Sequence, residues 1–500
     1  MTHLTKVNLT RRSLLMASTA ALFAGPMFMH AAQAQARSGG TLKIGRPADV
    51  SSMNVFTHAT VEDEIVHPMV YDTLLYGARN ELGYEPGLAE SWTFDAATNT
   101  YAFTLRENAK FADGSPLTAA DVVFSINESK EKSTNYKGLI AGIASLGATD
   151  ARTVSVTLAG TDNLFLSGLL WVYIVPENYG GMTDEAFFAN PNASGPFTMT
   201  EWTPGSSMTL TKNPNYWNAA ETHLDAVEMR MIQGDNERLA AFQSGDIDLY
   251  ENVRFDFLDQ LPEANRHVVN PTARTMLMYT NNYRAPFDNI DARRALSLAI
   301  DRTAIAEALW PGLSTPVQGL LMPGTADTVP ATNGTWDYDP AAAVAALAAS
   351  PTPGATIRLS AAYIRAVDEV LVQAVQSQLE AAGFVVELNI SDFNTILGQV
   401  LNNDFDVWLI GNTTFGTTAA EMLNFYASAF GPLGGWNFEE IGAQLAEYRT
   451  AQDAAGRQEA VRKFENLMRE TYSASPIGHP ATVFGVANGV MGLETLVTTA

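Results

Sequence analysis

The chain has 500 residues, enough for two or three packed domains, and 46% of them are hydrophobic while 17% are charged, which excludes a disordered chain and a membrane bundle. The formal net charge of −24 argues against binding to nucleic acid or to an anionic membrane surface. The absence of cysteine excludes a disulfide framework, a thiol nucleophile and a lipidated cysteine.

The first 36 residues have the pattern of an export signal. Arg11 and Arg12 form a twin-arginine pair, and an apolar run over Leu14–Met29 follows, broken by Gly25 and Pro26. This run is short for a membrane span, and the small residues after it offer cleavage sites. We therefore expect a twin-arginine-type signal peptide over residues 1–36 and a soluble periplasmic protein. The general export route stays open, because paired arginines also occur in its signals.

Apolar periodicity predicts the elements of the amino-terminal half. They are a strand at 39–45, a helix over 64–75, a hairpin over 92–106, a helix ending near Lys130 and a strand at 153–158. Pro68 must then lie near the first turn of its helix. Thr118 is expected to cap the helix that ends near Lys130, with Asp121 bonding back to it.

The carboxyl-terminal half reads as alternating helices and strands. The pattern predicts one helix over 288–309 and an alanine-rich helix at 341–349. A further helix runs from Ala366 to Gly383, and residues 384–390 alternate as a strand. The same order recurs toward Ile410, which indicates an α/β region.

Several separated motifs resemble the large solute-binding proteins of dipeptide, oligopeptide and nickel ABC importers, known as family 5. The matching segments are Tyr84–Trp92, Tyr101–Gly114, Leu117–Ser125, Ser194–Phe197, Lys212–Trp217, Phe242–Asp248 and Pro286–Arg302. They occur in the family's order and cover nearly the whole exported chain.

The resemblance implies an α/β fold of the two-lobed, class II periplasmic-binding-protein type with an extra small α/β domain. The expected boundaries are 37–69, 193–275 and 477–500 for lobe I, 70–192 for the small domain and 276–476 for lobe II. The ligand is then expected between the two lobes, held by hinge closure.

Catalytic and metal-binding patterns are missing. There is no G-x-S-x-G, H-E-x-x-H or phosphate-binding glycine loop. The exported histidines are scattered, and each is expected to be a surface or core residue, with His58 and His479 best placed for a ligand because the family puts their segments near the face of lobe I. We therefore expect no enzyme activity, no cofactor and no metal site.

The segment 406–416 bears on the ligand. Peptide-binding relatives carry an aspartate here that receives the peptide's ammonium group, whereas this chain has no acid before Glu421. An ammonium buried without a carboxylate is costly. We therefore expect a sugar conjugate, an opine-like compound or a metal chelate rather than a free peptide, with a peptide as the alternative.

Polar and aromatic side chains near this segment are the candidate ligand contacts. They are Asn412, Thr413, Thr414, Phe415, Trp436, Asn437, Tyr363, Arg365, His58 and Trp408. Arg365 could meet a carboxylate in fork geometry. The alternative is structural: Phe415 and Trp436 then only pack the lobe, and Arg365 is a solvated charge.

The resemblance also implies partners. These are a small-molecule solute and the ABC permease with its ATPases in the inner membrane, with no nucleic acid, and we expect a monomer. Two other classes remain open, a chemoreceptor-coupled sensor and a secreted enzyme.

Overall fold

The computed structural model describes residues 39–57, 60–77, 83–133, 135–269, 274–317, 319–321, 326–332, 334–363, 369–413, 419–427 and 438–491. The α-helices in these ranges are α1 (Val61–Val70), α2 (Ala119–Lys132), α3 (Phe165–Leu169), α4 (Asp184–Ala189), α5 (Asp235–Ser244), α6 (Ile290–Leu298), α7 (Arg302–Leu309), α8 (Pro340–Ala349), α9 (Glu369–Ala381), α10 (Phe393–Leu401), α11 (Ala419–Phe425), α12 (Phe438–Thr450) and α13 (Ala454–Thr471). None of the helices in these ranges combines the length and hydropathy that a membrane crossing requires.

The strands in the same ranges are β1 (Thr41–Arg46), β2 (Leu75–Gly77), β3 (Tyr84–Pro86), β4 (Ala89–Asp95), β5 (Thr100–Leu105), β6 (Ile143–Ala148), β7 (Thr153–Leu158), β8 (Phe197–Thr203), β9 (Ser207–Lys212), β10 (Ala226–Met231), β11 (Leu249–Tyr250), β12 (Arg266–Val269), β13 (Arg274–Thr280), β14 (Ser314–Thr315), β15 (Thr356–Ala361), β16 (Val385–Ile390), β17 (Val407–Thr413), β18 (Ala474–Pro480) and β19 (Thr482–Val486). Short 3-10 helices cover Glu177–Gly181, Phe255–Gln260 and Glu263–Asn265.

The described strands form three larger sheets and the pair β2-β3. The sheet orders are β12-β19-β11-β1-β10-β9-β8, β14-β18-β13-β17-β15-β16 and β4-β5-β7-β6. We refer to residues 39–71, 193–269 and 481–491 as the seven-stranded region, to 274–480 as the six-stranded region, and to 72–192 as the four-stranded region.

The six-stranded sheet has a helix layer on each face. All seven residues of β13 are buried, and alternate residues point to opposite faces. Met276 and Met278 join a hydrophobic cluster with residues of α6 to α9. Leu277 and Tyr279 join a second cluster with residues of α10 to α13. The sheet is therefore the centre of a three-layer structure.

A buried polar network joins the four-stranded region to the seven-stranded region. Trp217 donates its indole N–H to Asp72 Oδ2 at 2.7 Å, and Tyr76 donates its hydroxyl to Asp72 Oδ1 at 2.5 Å. Arg106 stacks over the Trp217 ring at 3.7 Å, and Asn215 donates to the carbonyl oxygen of Ala112 at 2.9 Å. We call this network the seam; it holds the segment Lys212–Trp217 against the four-stranded region.

Within the residues that the structure describes, the chain passes between the two large sheets at two crossovers. The first leads from the end of β12 at Val269 to the start of β13 at Arg274, and the second leads from β18 to β19 through Ala481. β12 pairs with β19 in one sheet, and β13 pairs with β18 in the other. The strands on either side of the two crossovers are therefore neighbours in both sheets.

Most of the predicted elements are confirmed. The strands at 39–45 and 153–158, the hairpin over 92–106 and the alanine-rich helix all form, and Thr118 N–H donates to Asp121 Oδ2 at 2.7 Å at the start of α2. The later helix is described from Glu369 onward and is followed by β16, as predicted.

Two predictions about helices are wrong. α1 covers Val61–Val70, because Thr60 and Asp63 cap each other's backbone, so Pro68 lies in its last turn rather than its first. The predicted helix over 288–309 is two helices, because the side chain of Asp301 accepts the N–H of Ala304 at 2.9 Å and begins α7.

Candidate functional site

The carboxyl ends of parallel strands mark the first feature of the site. β15 runs parallel to β17, and β1 runs parallel to β10 and β11. Ligands of open α/β sheets bind outside such strand ends. Tyr363 follows the end of β15, and Asn412 and Thr413 lie at the end of β17, so these three predicted contacts share one edge of the six-stranded sheet.

That edge lies next to a crossover. In the antiparallel pairing of β13 with β17, Arg274 is opposite Thr413 and Thr275 is opposite Asn412. Arg274 also donates to the side-chain oxygen of Asn252 at 3.2 Å, across to the seven-stranded region. The end of β17 is therefore placed where the two large sheets connect.

The three regions meet at a group of five residues, which we call the junction: Glu64, Asn135, Tyr136, Trp171 and Asn424. Tyr136 of the four-stranded region donates its hydroxyl to Glu64 of α1, and its ring stacks on Trp171 with centroids 4.4 Å apart and planes 3° from parallel. Asn424 of α11 donates to the carbonyl oxygen of Asn135 at 3.0 Å. Each of the three regions thus supplies a polar side chain to the same place.

Asn412 connects the end of β17 to the segment that carries Asn424. It is 9% exposed, and its Nδ2 donates to the hydroxyl oxygens of Tyr279 and Tyr426, the latter at 3.4 Å. Tyr426 lies two residues after Asn424. The Asn412 amide therefore anchors the strand end to the junction through its N–H groups.

Two carboxylates determine the charge of the junction. Glu64 accepts from Tyr136, and the buried Glu421 of α11 acts on the same tyrosine. Burial raises the pKa of Tyr136 well above its ordinary value, and the charges of Glu64 and Glu421 raise it further. Tyr136 is therefore a neutral hydrogen-bond donor at physiological pH.

His479 belongs to the crossover and is a buried core histidine. Its Nδ1 lies within hydrogen-bond distance of Thr275 Oγ1, at 3.1 Å, and the same hydroxyl lies 3.1 Å from the carbonyl oxygen of Leu320. Burial lowers the pKa of His479 to about 4, which keeps the ring neutral. Within the residues that the structure describes, no group of three or more His, Asp or Glu side chains is arranged to hold a metal ion.

Of the other predicted contacts, some lie in the described residues and some lie outside them. Trp408 is 2% exposed and packs near Tyr279 with ring centroids 5.9 Å apart, and Tyr363 is 49% exposed. Six of them lie outside the described residues: His58, Arg365, Thr414, Phe415, Trp436 and Asn437. The set as a whole stays a prediction.

The sequence analysis missed the junction residues. Glu64, Tyr136, Trp171 and Asn424 are separated by tens to hundreds of positions and carry no shared local pattern. The only signal was Glu421, which the sequence marked as the first acid after β17. Their association depends on how the three regions pack, which residue spacing does not encode.

Comparison with known proteins gives a family match over most of the chain. Residues 83–432 match the bacterial extracellular solute-binding proteins, family 5 Middle. The glutathione-binding protein GsiB of Escherichia coli K12 is 27% identical over 330 residues, which are 64% of this chain and 63% of that protein. The dipeptide-binding protein DppE of Bacillus subtilis is 30% identical over 262 residues, 48% of each chain. The match thus spans less than two thirds of these curated relatives.

Solved structures share the fold over nearly the whole chain. DppA of Helicobacter pylori in complex with the peptide STSA has a TM-score of 0.83 at 22% identity and covers 93% of this chain and 97% of its own. MoaA of A. tumefaciens R10 in complex with mannopinic acid has a TM-score of 0.81 at 24% identity, covering 93% and 99%. AgaA from the same source, in complex with agropinic acid, has a TM-score of 0.81 at 24% identity, covering 92% and 96%. The predicted α/β, two-lobed periplasmic-binding-protein fold is confirmed.

Proposed function

The chain belongs to the bacterial extracellular solute-binding proteins of family 5, and from that membership we propose that it captures a small polar solute in the periplasm for an ABC importer. Proteins of this family bind their ligands and are not enzymes. In this proposal residues 1–36 direct export, the protein is a monomer, and its partners are a permease and its ATPases. The seven-stranded and six-stranded regions correspond to lobes I and II.

The junction is the observation that carries the proposal. Groups from three regions converge where Tyr136 meets Glu64 and Asn424 meets Asn135, beside the carboxyl ends of parallel strands. A solute held there contacts all three regions, so its binding favours the closed arrangement over the open one. The paired crossovers supply the hinge about which the regions close.

We propose an opine-like solute, that is, a conjugate of an amino acid with a sugar-derived chain. The stacked rings of Tyr136 and Trp171 suit the apolar face of such a chain, and Glu64 and Glu421 suit its amino group. The related structures that contain mannopinic acid and agropinic acid support this class.

A peptide is the second candidate. The relatives GsiB and DppE are named for glutathione and dipeptides, and the carboxylates of Glu64 and Glu421 would also match a peptide's ammonium group. The sequence argument against peptides considered only the segment after β17, whereas these two carboxylates come from α1 and α11. The choice between the classes therefore depends on measurement.

Isothermal titration calorimetry with mannopinic acid, agropinic acid, glutathione and the dipeptide Met-Leu tests the proposal. We expect an opine to bind with at least micromolar affinity, which corresponds to about 8 kcal/mol, and to reduce the radius of gyration in small-angle X-ray scattering. Tighter binding of Met-Leu or glutathione contradicts the opine class. An unchanged radius of gyration with a bound solute contradicts hinge closure.

A matched pair of tyrosine variants tests the position of the site. Tyr136→Phe removes the hydroxyl that reaches Glu64, and we expect about tenfold weaker binding of the solute that the wild type binds best. Tyr338→Phe makes the same change at a position that is 48% exposed, and its affinity should equal that of the wild type. Equal affinities for all three proteins would place the solute elsewhere.

A further inference from the structure

A second contact joins the four-stranded region to the six-stranded region, at the end of a helix. Asn163 donates its side-chain N–H groups to the carbonyl oxygens of Tyr448 at 2.9 Å and Ala451 at 2.8 Å. Its backbone N–H donates to the carbonyl oxygen of Arg449 at 2.8 Å. One asparagine thus serves three carbonyl groups at the carboxyl end of α12.

These carbonyl groups need partners from outside the helix. The last four carbonyls of an α-helix have no intrahelical donor and are served by a cap, by water or by another segment. In α12, which ends at Thr450, the donors come from Asn163, nearly 290 positions earlier in the sequence. The four-stranded region therefore acts as a helix cap for the six-stranded region.

An ion pair reinforces the cap. Arg449 contacts Asp162 Oδ2 at 2.5 Å, and its Nη2 donates to the carbonyl oxygen of Gly138 at 2.5 Å. Asp162 also accepts the N–H of Leu164 at 3.0 Å, which fixes the turn that presents Asn163. Arginine near the carboxyl end of a helix also interacts favourably with the helix dipole.

We propose that this contact is a latch that stabilises the closed form even without a solute. The proposal rests on the hinge closure proposed above. The seam fixes the four-stranded region to the seven-stranded region, so opening at the crossovers separates Asn163 from α12. The carbonyls that the latch releases then become accessible to water, while Leu139 and Leu164 beside them lose apolar contacts with α11 to α13, so the contact opposes opening.

The latch has a consequence that differs from that of a ligand contact. It stabilises one conformation and touches none of the five junction residues through the bonds described. A change in the closed population scales the apparent affinity for every solute by the same factor. Loss of the latch should therefore weaken binding without altering the order of preference among solutes.

Distance measurements test the latch on the intact protein without a solute. The chain has no cysteine, so Ala96→Cys on the four-stranded region and Ala381→Cys on the six-stranded region, both exposed, give a unique pair of spin-label sites. Double electron–electron resonance on the labelled wild type should show a shorter and a longer distance. Asn163→Ala should lower the ratio of closed to open protein about tenfold, the change that about 1.4 kcal/mol produces.

Two further variants make the result decisive. Asn163→Asp keeps the shape but places a carboxylate against the two carbonyls of Tyr448 and Ala451, so the loss of the shorter distance should be at least as large. Asn190→Ala makes the alanine change at the exposed end of α4 and should leave the distances unchanged. Circular dichroism of each variant checks that it is folded.

The outcomes separate the two proposals. Equal distance distributions for the wild type and both Asn163 variants overturn the latch, as does a wild type that shows only the longer distance. A single distribution that neither an Asn163 variant nor any of the four solutes changes contradicts hinge closure itself, and the latch with it.

Discussion

The four-stranded region is attached to its two neighbours in different ways. At the seam with the seven-stranded region, the buried carboxylate of Asp72 accepts hydrogen bonds from Tyr76, Trp217 and the backbone of Thr73. At the latch, a neutral amide donates to main-chain carbonyls. Separating the seam would expose a shared side-chain network, whereas separating the latch would expose main-chain carbonyls together with the apolar side chains of Leu139 and Leu164. In the hinge closure proposed above, the seam is the permanent contact and the latch is the one that opens.

The largest expected effect is at the seam. Asp72→Ala leaves the buried donors of Tyr76 and Trp217 without an acceptor, so we expect the free energy of unfolding to fall by about 3 to 5 kcal/mol. Urea denaturation followed by circular dichroism measures it. Glu185→Ala, an exposed carboxylate on α4, should change it by less than about 0.5 kcal/mol. A loss below about 1 kcal/mol for Asp72→Ala would remove the distinction between seam and latch.

The seam should also respond to pH. Burial raises the pKa of Asp72 to about 6, above the value of about 3.9 expected in the unfolded chain. The folded protein therefore holds a proton that the unfolded chain releases, and the contribution of Asp72 to the free energy of unfolding should fall by about 1 to 3 kcal/mol as the pH rises from 4 to 6 and then level off.

Comparison with Asp72→Asn isolates this effect. Burial raises the pKa of Glu465 to about 7 and lowers that of His479 to about 4, which add slopes of the same and of the opposite sign, respectively, in both proteins. The difference between the wild type and Asp72→Asn should thus change between pH 4 and 6 and be constant above that range. Parallel curves over the whole range would contradict the assigned role of Asp72.

The latch should contribute little to global stability. We expect Asn163→Ala to lower the free energy of unfolding by less than about 1 kcal/mol, because water replaces the lost donors at carbonyls near the surface. The same urea titration measures it. A loss as large as that of Asp72→Ala would show that the two attachments are equally permanent.

The smallest expected effect is that of salt on the latch. Raising NaCl from 0.1 M to 0.5 M should lower the closed population of the wild type by less than about twofold, because Arg449 is partly exposed and its attraction to Asp162 is screened. The closed population of Arg449→Ala should not show this fall with salt. The spin-label distances measure the closed population of both proteins. A larger fall with salt in Arg449→Ala than in the wild type would exclude the ion pair as the source of the salt dependence.

The sequence predicted those parts of the fold that depend on local chemistry. Alternation gave the hairpin over 92–106, and Asp121 bonds back to Thr118 as the pattern indicated. It failed where one side chain decides between alternatives: Thr60 moved the start of α1, and Asp301 divided a continuous helical pattern. The alternation at 384–390 also predicted a strand, which forms as β16 at the edge of its sheet, where Leu388 is 41% exposed.

The site was predictable only in part. Asn412, Thr413 and Tyr363 were predicted from polar and aromatic side chains near the segment 406–416; the structure places them on one edge of the sheet, and their contact with a ligand stays a prediction. Tyr136, Trp171 and Asn163 were not found, because each depends on contacts between regions that are distant in sequence. Long-range packing, rather than side-chain type, brings such residues together.

In the hinge closure proposed above, the paired crossovers determine which motion the protein makes. Two adjacent connections allow the regions to rotate about the line that joins the connections. They resist rotation of one region relative to the other about any other axis. The seven-stranded and six-stranded regions therefore return to the same alignment each time the protein closes. A three-bond contact as specific as that of Asn163 can then re-form without a search through misaligned positions.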